Sequence, residues 1–322
     1  MIEGHKEIDV PAGVPVWDVD PFDTTILTNP LDYYSELRSK GPFVYIPKYS
    51  VLACGRYAET REVFSDWERF VSSRGVGLQD FSLEEPWRPP SIVLEVDPPY
   101  HTKTRAVIER ALSPAAVRNL TKSFRDDAEK LIGELLEKWT FDAVEELAEI
   151  YPTTVFPKAV GLQTIDRRRL IDYGEMVFSA IGPDNELRRN AMSKGPDVVP
   201  WIMEQCQREH LSPDGFGSAI YAGADAGEIS VEEAGLLVRS FLSAGVDTTV
   251  TALGSAIWCL ANHPEQFHIM KSDPSLPIWT FEETLRYTSP IHTFCRTASR
   301  DTDVGGVKMQ EGTKILCVVG SA

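Results

Sequence analysis

The chain has 322 residues, of which 43% are hydrophobic and 25% charged, a composition typical of a globular protein with a large core. Its formal net charge is −16 at pH 7, with acidic residues spread along the chain, which argues against a nucleic-acid partner because such proteins need a basic face. The N-terminal stretch has no apolar run, so we predict neither a signal peptide nor a membrane anchor.

The first part of the chain, up to Pro30, is predicted to be extended because prolines interrupt it repeatedly. A helix over Leu31–Lys40 follows, then two strands around a turn within 43–55, and a second helix over 56–65. Residues 71–97 are rich in Gly, Pro and Ser and lack periodicity. A loop of this length inside a compact domain usually has a function.

Helical periodicity dominates the middle of the chain. The predicted helices cover 99–112, 114–139, 142–160, 166–181, 185–208 and 215–222. The stretch Ser230-Val-Glu-Glu233 has the form of a capping box and begins a long apolar helix, which Asn262-His-Pro264 ends.

The last part of the chain predicts one more helix and a hairpin. A second capping box, Thr280-Phe-Glu-Glu283, predicts a helix that ends near Ser289. Residues 304–320 predict a hairpin with its turn near Gly312. The predicted fold class is therefore mostly α with small antiparallel β-sheets, in one domain.

The cysteines are five in number, widely spaced and without a CxxC motif. This pattern predicts free thiols in a reducing compartment, the cytoplasm, and it lacks the spacing of a metal site. We therefore predict no metal site built from these residues, which are Cys54, Cys206, Cys259, Cys295 and Cys317.

The long apolar run 236–261 has about the length needed to cross a membrane. Arg239 and Asp247 within it would each be costly in hydrocarbon. We therefore predict a helix that crosses the core of a soluble protein.

The centre of this helix, SAGVDTT, is unusually polar for a buried segment, and buried polar groups need partners. Residues four apart are neighbours on a helix, so Ser240, Ala244 and Thr248 form one stripe. Small side chains at Ala244 and Gly245 let a flat ligand approach the backbone. Asp247 and Thr248 can relay protons at that surface. The alternative is a threonine bonded to the carbonyl four residues earlier, which bends a core helix.

Three further motifs are each ambiguous alone. Glu283 and Arg286 have the spacing of an ordinary ion pair on one helix. His101 and Arg105 share a helix face and can hold an anionic group, or they form a solvated basic face. Arg296 lies just before the predicted hairpin.

In this order, DPPYHTKTR, AGVDTT, EETLR and RTASRDTDVGG resemble the cytochrome P450 family of haem-thiolate monooxygenases. AGxDTT together with ExxR at this separation is specific, whereas either alone is common. The resemblance covers nearly the whole chain and implies a single, incomplete cytochrome P450 domain over 1–322. Further phrases resemble the bacterial subgroup that oxidises para-substituted benzoic acids; they are SSRGVG, PWRPPS, LAEIYPTTVFPKAVGL, NELR, EQCQR and LLVRSFLSAGVDTT.

The resemblance implies haem b as the cofactor, O2 as co-substrate, and a ferredoxin with its reductase as redox partners. The long helix would then run over the oxygen-binding face of the haem, where Ala244 and Gly245 line the groove. Asp247 and Thr248 become the acid–alcohol pair that delivers protons. The other assignments are His101, Arg105 and Arg296 to the haem propionates, and Glu283 and Arg286 to a structural role.

The subgroup resemblance further implies an aromatic carboxylic acid as substrate, with O-demethylation of 4-methoxybenzoate as the concrete hypothesis. A carboxylate in an apolar pocket needs an arginine fork or several donors. The candidates are Arg88, Ser91, Ser240 and Arg239 for the carboxylate, and Leu94, Phe178 and Phe294 for the ring. The alternative is a surface Arg88, an outward-paired Arg239 and plain core roles for the apolar residues.

One family element is not found in the sequence. The family's iron ligand is a cysteine in a loop of form FxxGxHxCxG, and neither Cys295 nor Cys317 has that context. We therefore expect a truncated chain that binds haem weakly and has no monooxygenase activity alone, because thiolate ligation favours O–O cleavage. Two alternatives stay open: a truncated non-catalytic ligand-binding protein or pseudoenzyme, and a haem-independent all-α sensor of aromatic acids.

Overall fold

The computed structural model describes residues 6–322, which fold mainly into α-helices with two small β-sheets. The packing divides them into two compact units. The sheet unit consists of Met1–Thr102, Ser179–Arg188 and Ile291–Ala322, and the helical unit of Lys103–Phe178 and Arg189–Pro290. The predicted fold class is confirmed, and the assignment of residues 1–322 to a single domain stays a prediction.

The sheet unit contains three complete α-helices, seven strands and a short 3-10 helix (Val319–Ser321) among its described residues. They are α1 (Thr24–Thr28), α2 (Leu31–Lys40), β1 (Val44–Ile46), β2 (Val51–Cys54), α3 (Tyr57–Ser65), β3 (Phe70–Val71), β4 (Thr293–Ala298), β5 (Thr302–Val304), β6 (Val307–Met309) and β7 (Lys314–Val318). The five-stranded sheet has the order β1-β2-β7-β4-β3, and β5 pairs with β6. Apolar clusters cover the larger sheet, whose central strands β2 and β7 are fully buried.

Two details of the sheets differ from the prediction. The pair β2·β7 is parallel, with Leu52 opposite Ile315, because β7 joins β2 through a long excursion of the chain rather than through a hairpin. The hairpin turn lies at Gly305 and Gly306, which both have positive φ, between β5 and β6. A turn does lie at Gly312, where the Thr313 amide donates to the Gln310 carbonyl at 3.1 Å, but β6 and β7 on its two sides do not pair, so the predicted hairpin around Gly312 is wrong.

The N-terminal segment is mainly extended, as predicted, except for the short helix α1. The Asp23 carboxylate accepts a hydrogen bond from the Thr25 amide and caps this helix. Pro21 and Pro30 lie on either side of it, so the prolines limit the length of the helix rather than exclude it.

The remaining helices are α4 (Tyr100–Ala111), α5 (Pro114–Leu136), a π-helical turn (Val144–Ala148), α6 (Ile150–Val160), α7 (Arg167–Ser179), α8 (Glu186–Met192), α9 (Gly195–Gln205), α10 (Phe216–Asp225), α11 (Val231–Gly245), α12 (Asp247–Asn262), α13 (Pro264–Ser272) and α14 (Leu276–Thr288). The predicted helix over 185–208 is two helices, because Gly195-Pro196 begins a new one. Likewise the π-helical turn divides the predicted helix over 142–160. Pro264 ends α12 as predicted but also begins α13, which was not predicted.

The two predicted capping boxes have opposite outcomes. The Ser230 hydroxyl accepts from the Glu233 amide at 3.0 Å, and the Glu233 carboxylate accepts from the Ser230 amide at 2.6 Å, as predicted. Thr280 lies inside α14 and does not begin it, since its carbonyl accepts from the Thr284 hydroxyl at 2.9 Å. Pro277, in the first turn, fixes the true start of α14.

Among the described residues, Val231–Asn262 is the one helical segment that is long and apolar enough to match a membrane span by length and composition. Core helices of soluble proteins meet the same test. Arg239 within this segment is buried by the protein, at 2% exposure. The helix is interrupted once within the segment, at Val246, where α11 ends and α12 begins although the dihedral angles of Val246 stay in the right-handed helical region.

Candidate functional site

The break at Val246 lies at the polar centre of the long helix. The Thr248 hydroxyl donates to the Ala244 carbonyl at 2.6 Å, and the Thr249 hydroxyl donates to the Gly245 carbonyl at 3.0 Å. Side-chain bonds of this kind compete with the backbone ladder and bend helices. The alternative predicted from the sequence, a threonine bonded to the carbonyl four residues earlier, is therefore what the structure shows. This bond leaves the lone pairs of Thr248 Oγ1 available as acceptors.

The predicted stripe of Ser240, Ala244 and Thr248 lies within this region. Ala244 is exposed, whereas Ser240 and Thr248 are half-buried. The Ser240 hydroxyl donates to the Leu236 carbonyl at 3.0 Å. A small exposed side chain at Ala244 beside a half-buried hydroxyl is compatible with a ligand close to this turn of the helix.

Asp247 is a half-buried acid whose pKa is raised. Burial is the main cause, because it penalises the charged form, and the nearby negative charge of Glu175 adds to it. Glu175 itself forms an ion pair with Lys194, which also binds Asp172 at 2.7 Å. A raised pKa suits an acid that must hold and release a proton near neutral pH.

Two contacts of this region were not predicted. A β-carbon built on Gly174 in α7 would come 2.7 Å from the β-carbon of Asp247, so Asp247 packs directly against the backbone of α7. A β-carbon on Gly245 would come 2.2 Å from the Phe156 ring. The packing of the protein therefore requires glycine at position 245, because the Phe156 ring fills the space that a side chain would occupy.

In the sheet unit, Arg88 and Ser91 come together around an acid that the sequence did not single out, Glu95. The Glu95 carboxylate accepts from Arg88 Nη1 at 3.1 Å and from the Ser91 amide at 2.6 Å. The side chains of Arg88 and Glu95 are 10% and 7% exposed, so the alternative of a surface Arg88 is wrong. Arg88 Nε is buried and has no hydrogen-bond partner among the described residues.

The other predicted substrate residues lie in both units. Arg239 is buried near Cys206, on whose pKa its charge acts. Phe178, in the helical unit, is half-buried. In the sheet unit Phe294 is half-buried, and Leu94 is 37% exposed.

Arg296 has the environment expected of a group that binds an anion. Its guanidinium lies over the Phe64 ring at 4.8 Å and donates to the Cys295 carbonyl at 2.8 Å. Burial lowers its pKa, and no carboxylate of residues 6–322 forms an ion pair with it. A half-buried guanidinium of this kind fits a haem propionate.

The other two predicted propionate ligands lie on α4. The backbone amide of His101 donates to the Asp97 carbonyl at 3.0 Å. Arg105 is 53% exposed at its side chain and pairs with Glu109 at 3.0 Å. An exposed pair of this kind is weak, so Arg105 can exchange Glu109 for another anion.

Glu283 and Arg286 form a two-bond ion pair within α14, at 2.6 and 2.7 Å. Hydrogen bonds from Arg286 lower the pKa of Glu283. Both side chains of the pair are exposed in the part of the chain that the structure describes. Its predicted structural role stays a prediction.

The five cysteines are all free. Four of them are buried, and Cys259 is half-buried. Burial raises the pKa of Cys206 to about 12 and that of Cys295 to about 11, and it also raises the pKa of Cys317. A metal ligand must be a thiolate, so these environments disfavour ligation.

Known proteins with similar sequences and folds identify the class of protein to which this chain belongs. No family model matches the chain. It is 48% identical over 312 residues to cytochrome P450 CYP199A2 of Rhodopseudomonas palustris, covering 97% of this chain and 76% of that protein. It is 25% identical over 331 residues to the steroid C26-monooxygenase of Rhodococcus jostii, covering 98% and 68%. The solved structure of cytochrome P450 CREJ in complex with (4-ethylphenyl) dihydrogen phosphate superposes with a TM-score of 0.82 at 25% identity, over 94% of this chain and 78% of that one.

These similarities define an oxidoreductase of the monooxygenase class, with the fold of the haem-thiolate enzymes. The chain belongs to the cytochrome P450 family. The resemblance found in the sequence is thereby confirmed, and the family implies a haem cofactor.

Proposed function

We propose that this cytochrome P450 oxidises para-substituted aromatic carboxylic acids, by hydroxylation or O-demethylation, with 4-methoxybenzoate as the representative substrate. The observation that carries the proposal is the buried guanidinium of Arg88, which is only partly satisfied by Glu95 and adjoins the buried Ser91. A buried arginine with an unpartnered nitrogen favours an anionic ligand. A monooxygenase of neutral substrates has no need of such a group.

The carboxylate would be held by Arg88 and Ser91, and the substrate roles of Leu94, Phe178, Arg239, Ser240 and Phe294 are proposed with them. Fixing the acid at its carboxylate orients the ring and selects which bond reacts. The other substrates and partners that we propose are O2 and a ferredoxin with its reductase, in the cytoplasm.

Haem would be held at its propionates by His101, Arg105 and Arg296, with Ala244 and Gly245 beside its oxygen-binding face. When bound, it supplies the iron chemistry that activates O2. The chain's own contribution is proton handling. Asp247, whose pKa is raised by burial, holds a proton at its carboxyl group, and Thr248 Oγ1 passes it on.

We also propose that none of the five cysteines of residues 1–322 is the axial ligand, because four are buried and Cys259 is half-buried. A polypeptide consisting of these residues alone would then bind haem weakly and would be inactive. A carbon monoxide difference spectrum of that polypeptide, loaded with haem, tests this directly. A normal thiolate-type spectrum would show that the proposal about the cysteines is wrong.

Substrate class is tested by calorimetric titration of the chain with 4-methoxybenzoate and with 4-methoxybenzyl alcohol, which lacks the carboxylate. We expect the acid to bind at least tenfold more tightly, because a charge-assisted hydrogen bond contributes about 1.5–3 kcal/mol. Equal affinities, or binding of neither, would contradict the proposed substrate. Binding of the acid without turnover, in a ferredoxin-supplied protein that does show a thiolate-type spectrum, would favour the non-catalytic ligand-binding alternative.

A further inference from the structure

Residues 72–97 contain no helix or strand, yet the loop is closed and internally bonded. The Asp97 carboxylate accepts from the amides of Ser72 and Ser73 at 2.8 and 3.0 Å, which ties the two ends of the loop together. Compact loops with joined ends are frequently functional. This loop contains Arg88 and Ser91, the proposed carboxylate ligands.

A lysine from a distant part of the sequence fills the base of this loop. Lys314, the first residue of β7, is fully buried. Its Nζ donates to the carbonyls of Arg74 at 3.0 Å, Gly75 at 3.3 Å and Gln79 at 2.7 Å. An ammonium has three donors, and three loop carbonyls receive them.

Charged and titratable groups surround Lys314 on two sides. Asp80 and Arg74 face it from the loop, and Arg296 and the Cys295 thiol face it from β4. Asp80 is itself fully buried and binds Arg74 and the Ser82 amide. Burial lowers the pKa of Lys314 to about 8, because it penalises the charged ammonium.

We propose that Lys314 is a positioning residue for substrate recognition: by bonding three carbonyls of 74–79 it fixes the base of the loop that presents Arg88 and Ser91. The role in recognition rests on the proposed function, because it requires that these two residues bind the substrate carboxylate. Between the lysine contacts and Arg88, the Asp80 carbonyl accepts from the Glu84 amide at 3.1 Å and forms a turn of the loop.

The test compares Lys314→Met, which keeps the length of the side chain but removes its donors, with Lys308→Met on the exposed face of β6 as the control. Amide hydrogen exchange at pH 7 is measured over 74–84 and over β1 and β2. We expect protection of 74–84 to fall about tenfold in Lys314→Met and not in Lys308→Met, since three buried carbonyls lose their donor. We expect the affinity for 4-methoxybenzoate to fall by a similar factor.

A second measurement on the wild-type chain avoids dependence on the folding of the variant. Opening the loop exposes Lys314 to water, where its pKa returns towards 10.5. The closed loop therefore gains stability as the pH rises above about 8, and protection factors over 74–84, corrected for intrinsic exchange, should rise between pH 7 and pH 9. If Lys314 did not stabilise the closed loop, the protection factors over 74–84 would not depend on pH in this range.

The outcomes separate the two proposals. Unchanged protection in Lys314→Met, with a flat pH profile in the wild type, would overturn the role of Lys314. If Lys314→Met loses protection over 74–84 but binds 4-methoxybenzoate as tightly as the wild type, Lys314 supports the loop only and its role in recognition is overturned. If the wild type binds no benzoate while protection depends on Lys314, the proposed substrate is wrong and the role in recognition falls with it.

Discussion

Asp247 packs against the backbone of Gly174, so closely that a methyl group at Gly174 would lie 2.7 Å from the Asp247 β-carbon. The proposed proton donor therefore owes its position to a glycine on a different helix. We predict that Gly174→Ala destabilises the chain by about 1–3 kcal/mol, because the added methyl forces α7 or Asp247 to move.

Urea unfolding measures this effect, and Gly133→Ala in α5 is the matched control. Gly133 has nothing within 4 Å of the position of an added β-carbon. Helix propensity alone should make Gly133→Ala stabilising by about 1 kcal/mol. Equal effects of the two substitutions would contradict the packing of Asp247 described above.

Asp247 should make the stability of the chain depend on pH. Its folded pKa is raised, first by burial and then by Glu175. The stability linked to its protonation is therefore complete below the unfolded pKa, near 3.8, and is lost as the pH rises through the folded pKa. We predict that Asp247→Asn raises the melting temperature by a few degrees at pH values above the folded pKa of Asp247, where the wild-type carboxylate is charged and partly buried.

The same variant should gain nothing at a pH below 3.8, where the wild-type side chain is also neutral. Glu175→Gln provides a second check, because removal of its charge should shift the transition to lower pH. Thermal melts of the three proteins over a pH series give both results. A stabilisation by Asp247→Asn that is independent of pH would show that the charge is not responsible.

The contact between Gly245 and Phe156 predicts a coupled pair of substitutions. Gly245→Ala places a methyl group 2.2 Å from the Phe156 ring and should cost about 1–3 kcal/mol of stability. Phe156→Leu leaves space for that methyl, so the double variant should be more stable than the sum of the single effects by about 0.5–3 kcal/mol. Additive effects in a double-mutant cycle would mean that the two residues do not share this space.

The features that the sequence predicted well are local ones. The capping box of Ser230 and Glu233 depends on residues three apart, and its two hydrogen bonds form as expected. The end of α12 was predicted for the same reason. The start of α14 was not, because Thr280-Phe-Glu-Glu283 and Pro277 are both local signals for a helix start, and the helix begins at the second.

The features that the sequence did not predict depend on residues far apart in the chain. The parallel pairing of Leu52 with Ile315 spans most of the protein. Glu175 lies on α7, well separated in sequence from Asp247, on whose pKa it acts. Glu95 is close to Arg88 in sequence, but an isolated acid in an irregular loop gives no periodic signal. The site residues were therefore found by motif, and their partners only by structure.

We predict that Glu95→Gln lowers the stability of the chain but raises its affinity for the substrate. Its carboxylate satisfies Arg88 and the Ser91 amide, with both side chains of the ion pair about nine-tenths buried. Loss of the charge in Glu95→Gln leaves a buried guanidinium uncompensated, which should cost about 3 kcal/mol of stability. The same loss removes the group that competes with a substrate carboxylate for Arg88, so we predict tighter binding of 4-methoxybenzoate.

Thermal unfolding and calorimetric titration of Glu95→Gln measure the two effects, with Glu311→Gln as the control because Glu311 is an exposed acid of the sheet unit. The control should change neither quantity appreciably. Added 4-methoxybenzoate should also restore part of the stability lost in Glu95→Gln, because a ligand that binds only the folded state stabilises it by mass action. Weaker binding in Glu95→Gln would instead show that Glu95 orients Arg88 for the substrate rather than competing with it.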